Sequence, residues 1–159
     1  MTRFTTSNLK TVEFKAGSKI LTEGEQSSKV YLLQRGGVSV SIQGEEVCRI
    51  NEEGSIFGEI SALLGCPHTA TVTVVESATF WVIEDLRQHL RDNPEDAIAI
   101  TEVLAARLYQ MNQKFLEFKE TIDTMFDSNA PLKNQLNTLI LSIDTILGRS
   151  ILGSGTKKK

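Results

Sequence analysis

Between Gly54 and Val72 the chain reads GSIFGEISALLGCPHTATV, and four residues in it, Gly58, Glu59, His68 and Thr69, can do chemistry together. Gly58 has no Cβ, so its backbone can approach a phosphate closely. Residues 59–64 suit a short helix whose free N–H groups would point at an anion. A Pro, a polar cluster and a β-branched run follow. The layout is that of a phosphate-binding loop set into a β-sheet. Such a site wants a permanent positive charge, and the residue placed to give it is His68. Histidine is mostly neutral at pH 7 and lacks the planar fork of Arg. A charge-assisted hydrogen bond contributes roughly 1.5–3 kcal/mol, so its loss corresponds to about one to two decades of affinity. A bound phosphate would raise the histidine's pKa and return part of that charge.

The elements that must hold this loop follow from the glycines. Eight of the eleven lie between Gly17 and Gly65, and the next is Gly148. Frequent turns suit short antiparallel strands, and a long glycine-free stretch suits helix. Val38, Val40 and Ile42 alternate with Ser39, Ser41 and Gln43, which is the strand period. Val30 to Leu33 reads as a strand closed by a hairpin turn at Gly36-Gly37. Val47 to Ile50 is another after Gly44. Thr69 to Val75 and Ala78 to Ile83 resume the sheet, with Ser77 near their turn. Trp81 belongs to the core. Residues 10–84 thus form an antiparallel, jelly-roll-like β-roll of about eight short strands, in an α+β fold.

A helix begins at Asn93-Pro94-Glu95. Asn93 can cap it, Pro94 fits its first position, and Glu95 and Asp96 suit its positive end. An apolar register then runs through Leu104, Leu108, Met111, Phe115, Phe118, Ile122 and Met125, with steps of four and three. It continues in phase as Asn129, Leu132, Leu136, Leu139, Ile143 and Ile146, across a break at Pro131. A 3.5-residue repeat of this length suits a helix-pair seam, and the same stripe also suits a helix lying on its own sheet. The expected organisation is a β-roll over 1–92, a long dimerisation or lid helix over 93–127, an amphipathic helix over 128–152 and a disordered tail over 153–159. Whether 132–152 extends the coil or folds back stays open.

Composition narrows the function. The chain has 159 residues and a formal charge of −3, and its one basic run is the tail Lys157 to Lys159. That gives no footprint for nucleic acid. No apolar run approaches a membrane span, and the first twenty residues are not a secretory signal. Cys48 and Cys66 have no metal spacing and suit a reduced, cytoplasmic protein. His68 and His89 are the two histidines, too few for a cupin-type metal site. No set of nucleophile, base and orienting group is recognisable, so no enzyme and no cofactor are expected.

In order along the chain, Phe14 to Glu25 (FKAGSKILTEGE), Tyr31 to Val38 (YLLQRGGV) and Phe57 to Leu64 (FGEISALL) with Pro67 to Val72 (PHTATV) resemble the three signatures of the cyclic nucleotide-binding domain family. The likeness covers residues 9 to about 125 and is greatest to the bacterial catabolite activator type. The resemblance implies a phosphate and ribose site at Gly58, Glu59, Ile60, Ser61, His68 and Thr69. In it Glu59 bonds the ribose 2′-hydroxyl, and His68 stands where the family has Arg. It also implies a base contact at Asn112 and a homodimer through residues 100–126. The alternative readings are an exposed Asn112, an ordinary strand Thr69, a capping Glu59 and a His68 that is only a rim residue.

The resemblance implies a non-enzymatic regulatory sensor that binds cyclic AMP or cyclic GMP and signals through its C-terminal helix, with a protein partner. No helix-turn-helix can be built from the residues beyond Asp127, so no DNA partner is expected. The alternative is a nucleotide-free module for protein interaction or oligomerisation.

Overall fold

The computed structural model describes residues 4–125, 134–135 and 138–140. Six strands and three helices are defined among them: β1 (Lys10–Phe14), β2 (Lys19–Leu21), β3 (Val30–Ile42), β4 (Glu45–Ile50), β5 (Ile56–Phe57), α1 (Glu59–Leu64), β6 (Thr71–Ile83), α2 (Leu86–Asp92) and α3 (Pro94–Met125). All pairings are antiparallel. The order is β1-β6-β3-β4, with β2 also on β6 and β5 also on β3. The α+β roll expected from the glycine spacing is present.

Its strands are fewer and longer than the eight expected. Gly36-Gly37 is not a hairpin turn, and Ser77 is not at one. β3 and β6 run straight through these positions, each for 13 residues. The reason lies in side-chain parity. Before the glycines Tyr31 and Leu33 face the interior; after them Val38 and Val40 do. Inward residues have changed from odd to even, which an extra residue in one strand accomplishes. The register against β6 shifts at Leu33/Arg35, Arg35/Gly37 and Gly37/Val38. Gly36 has φ +98°, and a Cβ there would lie 2.5 Å from the Ser77 carbonyl oxygen and 2.6 Å from Ala78 Cα. The bulge therefore requires glycine. The true hairpin is at Gln43-Gly44, where φ is +52° and +85°. Two positive φ values in a two-residue loop match the strand twist.

Two apolar clusters follow from the alternation. The inner one holds Leu33, Val38, Phe57, Val72, Val74 and Phe80 with their neighbours. Phe80 sits edge-on to Phe14, Tyr31 and Phe57, with ring centroids 5.8–6.5 Å apart. The outer cluster joins Val30, Leu32, Ile56 and Ile83 of the sheet to Leu86 and Ile100 of the helices. Phe4, Leu9, Leu63, Trp81 and Leu104 pack against it, so Trp81 is half-buried there.

α2 precedes α3 as a separate helix. Asp85 caps it by accepting a hydrogen bond from Gln88 N–H at 3.0 Å. Asn93 does not cap α3 with its side chain; its Nδ2 donates to His89 O at 3.0 Å and closes α2 instead.

The chain divides into two units, the first ending at Ala105 and the second beginning at Ala106. The first holds the roll, α1, α2 and the start of α3. The second holds the rest of α3 and the helical residues 134–135 and 138–140. The expected amphipathic helix over 128–152 lies otherwise outside the described residues, as do the break at Pro131 and the tail over 153–159. No helix among the described residues is long and apolar enough to cross a membrane.

Candidate functional site

Gly58 ends β5 and caps α1 in the left-handed region, at φ +91°. A Cβ there would stand 2.7 Å from the Lys29 carbonyl oxygen. Glycine is therefore demanded twice, by its dihedral and by the backbone just ahead of β3. α1 then takes the span expected from the sequence and closes at Gly65, whose N–H donates to Ser61 O at 2.8 Å. Glu59 is 2% exposed and Ser61 is buried, while Ile60 between them is exposed. The helix thus presents two polar side chains inward and one apolar side chain outward.

The loop after α1 is sewn to the turn before β3. Gln26 Nε2 donates to Gly65 O at 3.0 Å. His68 N–H donates to Glu25 O at 2.8 Å, and Gly24 N–H donates to His68 O at 2.9 Å. Glu23 N–H donates to Thr71 Oγ1 at 3.0 Å, while the Glu23 carboxylate accepts from Gln43 N–H at 2.7 Å. These bonds fix the backbone at His68 from both sides. Sequence reasoning took the 22–25 segment for a family signature and did not see that it anchors the loop.

The His68 side chain is 5% exposed, and its Nε2 is buried with no hydrogen-bond partner. An orphaned buried nitrogen costs about 1–3 kcal/mol. Burial pushes the imidazole pKa below its ordinary 6.5, and the nearby Glu25 carboxylate partly opposes this. Thr69, next to it, is exposed. The structure so brings Gly58, Glu59, Ile60 and Ser61 together on one short helix, with His68 and Thr69 on the anchored loop that follows. Asn112 belongs to the second unit; its Oδ1 is buried and without a partner among the described residues.

The heptad positions divide. Leu104 packs on the outer core cluster. Leu108, Met111 and Phe118 are exposed, and Phe115 and Ile122 are half-buried. The side chain of Met125 lies outside the described residues.

Two features of the helical side escaped the sequence. Arg87, on α2, donates from Nη2 to Leu63 O in the last turn of α1 at 2.6 Å. Asp96 is not a solvated acid at the helix end. It is fully buried, and its Oδ2 stands 2.6 Å from His89 Nε2. Its Oδ1 accepts from Thr5 N–H at 2.9 Å and from Thr5 Oγ1 at 3.2 Å. Among the described residues no three His, Cys, Asp or Glu side chains gather as a metal site.

Comparison with known proteins bears on the family and the fold. The family model for the cyclic nucleotide-binding domain matches residues 11–93. A cGMP-dependent protein kinase of Drosophila melanogaster is 33% identical over 73 residues, which is 46% of this chain and 7% of the kinase. The Thermus thermophilus catabolite activator protein aligns with a TM-score of 0.59 and 25% identity, over 70% of this chain and 56% of its own. A cyclic nucleotide-binding domain from Methylobacillus flagellatus shares the fold, with a TM-score of 0.62 and 24% identity, over 70% of this chain and 68% of its own. The chain thus spans a small part of the kinase and little more than half of the Thermus protein.

Proposed function

We propose, since the chain belongs to the cyclic nucleotide-binding domain family, that its roll is a regulatory sensor for cyclic AMP or cyclic GMP and has no catalytic activity of its own. The observation that carries this is the pairing of left-handed Gly58 with buried Glu59 at the start of α1. With no Cβ at Gly58, the backbone at the start of α1 can be approached closely by a cyclic phosphate. Glu59, buried at the start of α1, supplies a carboxyl oxygen as acceptor for the ribose 2′-hydroxyl. His68 donates a ring N–H to the phosphate. Ligand contacts made in only one arrangement of α1 then shift the helices toward that arrangement. Two free cysteines suit a cytoplasmic setting. Calorimetry with both nucleotides at pH 6 and pH 8 tests the reading. Saturable heat with either nucleotide supports it; no heat at millimolar ligand at either pH refutes it.

A second reading, self-association through residues 100–126, is favoured by the exposure of Leu108, Met111 and Phe118 on one stripe of α3. Light scattering is expected to give a dimer, and Leu108→Lys with Phe118→Lys a monomer. A wild-type monomer at all concentrations would remove this reading and leave the sensor intact.

A further inference from the structure

From Ile50 to Leu86 the sequence has no Lys and no Arg. Its formal charges there are all negative: Glu52, Glu53, Glu59, Glu76, Glu84 and Asp85. His68 is the one residue of this stretch that a proton makes cationic near neutral pH. Its ring nitrogen Nε2 is buried and unpartnered, and its backbone is held by two bonds to the 24–25 turn. The ring therefore moves by rotation about its own side-chain bonds. A neutral ring tolerates this pocket; a cationic ring without a counter-charge does not.

The ionisable groups on the surrounding elements are Glu23, Glu25 and Lys29 on the segment before β3, Lys19 on β2, Glu59 on α1 and Cys66 on the connecting loop. Glu23 is engaged at Gln43 N–H. Glu25 acts on the ring and does not outweigh its burial. Of these groups Glu25 alone acts on the ring, so a charge on His68 is best matched by an anion arriving from outside the protein. A cyclic phosphodiester is such an anion, and it keeps its charge throughout the neutral range.

We propose that a cyclic nucleotide enters this site together with one proton, which resides on His68 in the complex, so that affinity rises as the pH falls. The inference rests on the sensor reading above. The empty ring titrates below its ordinary value, because burial dominates. The phosphate-paired ring titrates above it. Between those two values each unit of pH changes affinity by up to about tenfold.

Calorimetry with cyclic AMP and with cyclic GMP, at pH 6, 7 and 8 in buffers of different ionisation enthalpy, measures both the affinity and the protons taken up. The expected result is uptake of about half to one proton at pH 7, with binding roughly tenfold or more weaker at pH 8 than at pH 6. His68→Arg is expected to bind more tightly, by about one to two decades, with no pH dependence. His68→Gln is expected to bind weakly and also without pH dependence. The two imidazoles, His68 and His89, give an independent readout by NMR, in which the His68 signals alone should shift to the protonated form on ligand addition at pH 7.

Binding by the wild type with no proton uptake overturns the coupling and leaves the sensor reading in place. Binding by His68→Arg alone does the same. No binding by either protein at any pH overturns the sensor reading, and the coupling with it.

Discussion

Removing the Asp96 carboxylate takes away the acceptor of three hydrogen bonds at once. Asp96 lies in the first turn of α3, fully buried. The 2.6 Å contact to His89 Nε2 places a proton on that nitrogen, since the carboxylate can only accept. The side chains of the pair are 11% and 1% exposed, so water cannot replace the lost partner at His89. Leaving a buried donor without its acceptor costs about 1–3 kcal/mol. The two Thr5 bonds add less, because Thr5 itself is exposed and water takes over its N–H. Asp96→Ala is therefore expected to lose about 2–4 kcal/mol, a large part of a typical domain's 5–15 kcal/mol. Asp96→Asn keeps an acceptor for Thr5 and is expected to lose about 1–2 kcal/mol.

Urea unfolding followed through Trp81 measures this directly, because Trp81 is the sole tryptophan and packs on the same cluster as Leu86 and Ile100. A double-mutant cycle with His89→Leu should give a coupling of at least about 1.5 kcal/mol. Phe4 and Leu9 rest on that cluster, and Thr5 is bonded between them in sequence. The N-terminal segment should thus become protease-sensitive in Asp96→Ala before the rest of the domain does. An Ala variant within about 1 kcal/mol of wild type, or a coupling near zero, would refute the energetic role given to this buried carboxylate.

Three further outcomes are expected. Gly36→Ala forces a side chain to φ +98° and into Ser77 O and Ala78 Cα; it should cost at least about 2 kcal/mol. Gly17→Ala, at φ +85° with nothing within 4 Å, should cost about half as much, and equal losses in thermal melts would refute the bulge argument. Gly58→Ala should lose nucleotide affinity as well as stability, since its Cβ would push α1 away from Lys29 O; nucleotide titration of a folded variant with unchanged affinity would contradict this. For the ligand-free protein, burial makes folded His68 bind its proton more weakly than the unfolded chain does. Its contribution to stability is present above pH 6.5 and declines as the pH falls through the window below that value. His68→Gln should flatten that part of the stability curve, and an unchanged acid-side decline would show that His68 is not its source.

What was legible in the sequence was local. Gly58, the span of α1 and the start of α3 at Pro94 each depend on neighbours a few residues away, and each was found where expected. The continuity of β3 and β6 was not legible. A Gly-Gly pair that breaks an alternating pattern is the mark of a hairpin turn and equally of a bulge that reverses parity. Only the facing strand decides between them, and Ser77 and Ala78 lie some forty positions further on. Asp96 escaped for the same reason. An acid in the first turn of a helix satisfies the dipole rule by itself, so nothing nearby signals a partner 91 residues earlier.

The ties between the elements are of this second kind, and they bear on how the site can signal. Arg87 bonds the last turn of α1 to α2, His89 joins α2 to Asp96, and Asp96 stands in the first turn of α3. Both bonds are within the first unit. A displacement of α1 that keeps the Leu63 carbonyl on Arg87 must carry α2 with it, and the buried carboxylate then resists any separation of α2 from α3. The same reasoning fixes the order in which these bonds can yield. The Arg87 bond is exposed, and water can replace it at little cost. The Asp96 bond is buried and cannot be replaced. Any movement of α1 therefore has its compliant joint between α1 and α2 and its stiff one between α2 and α3.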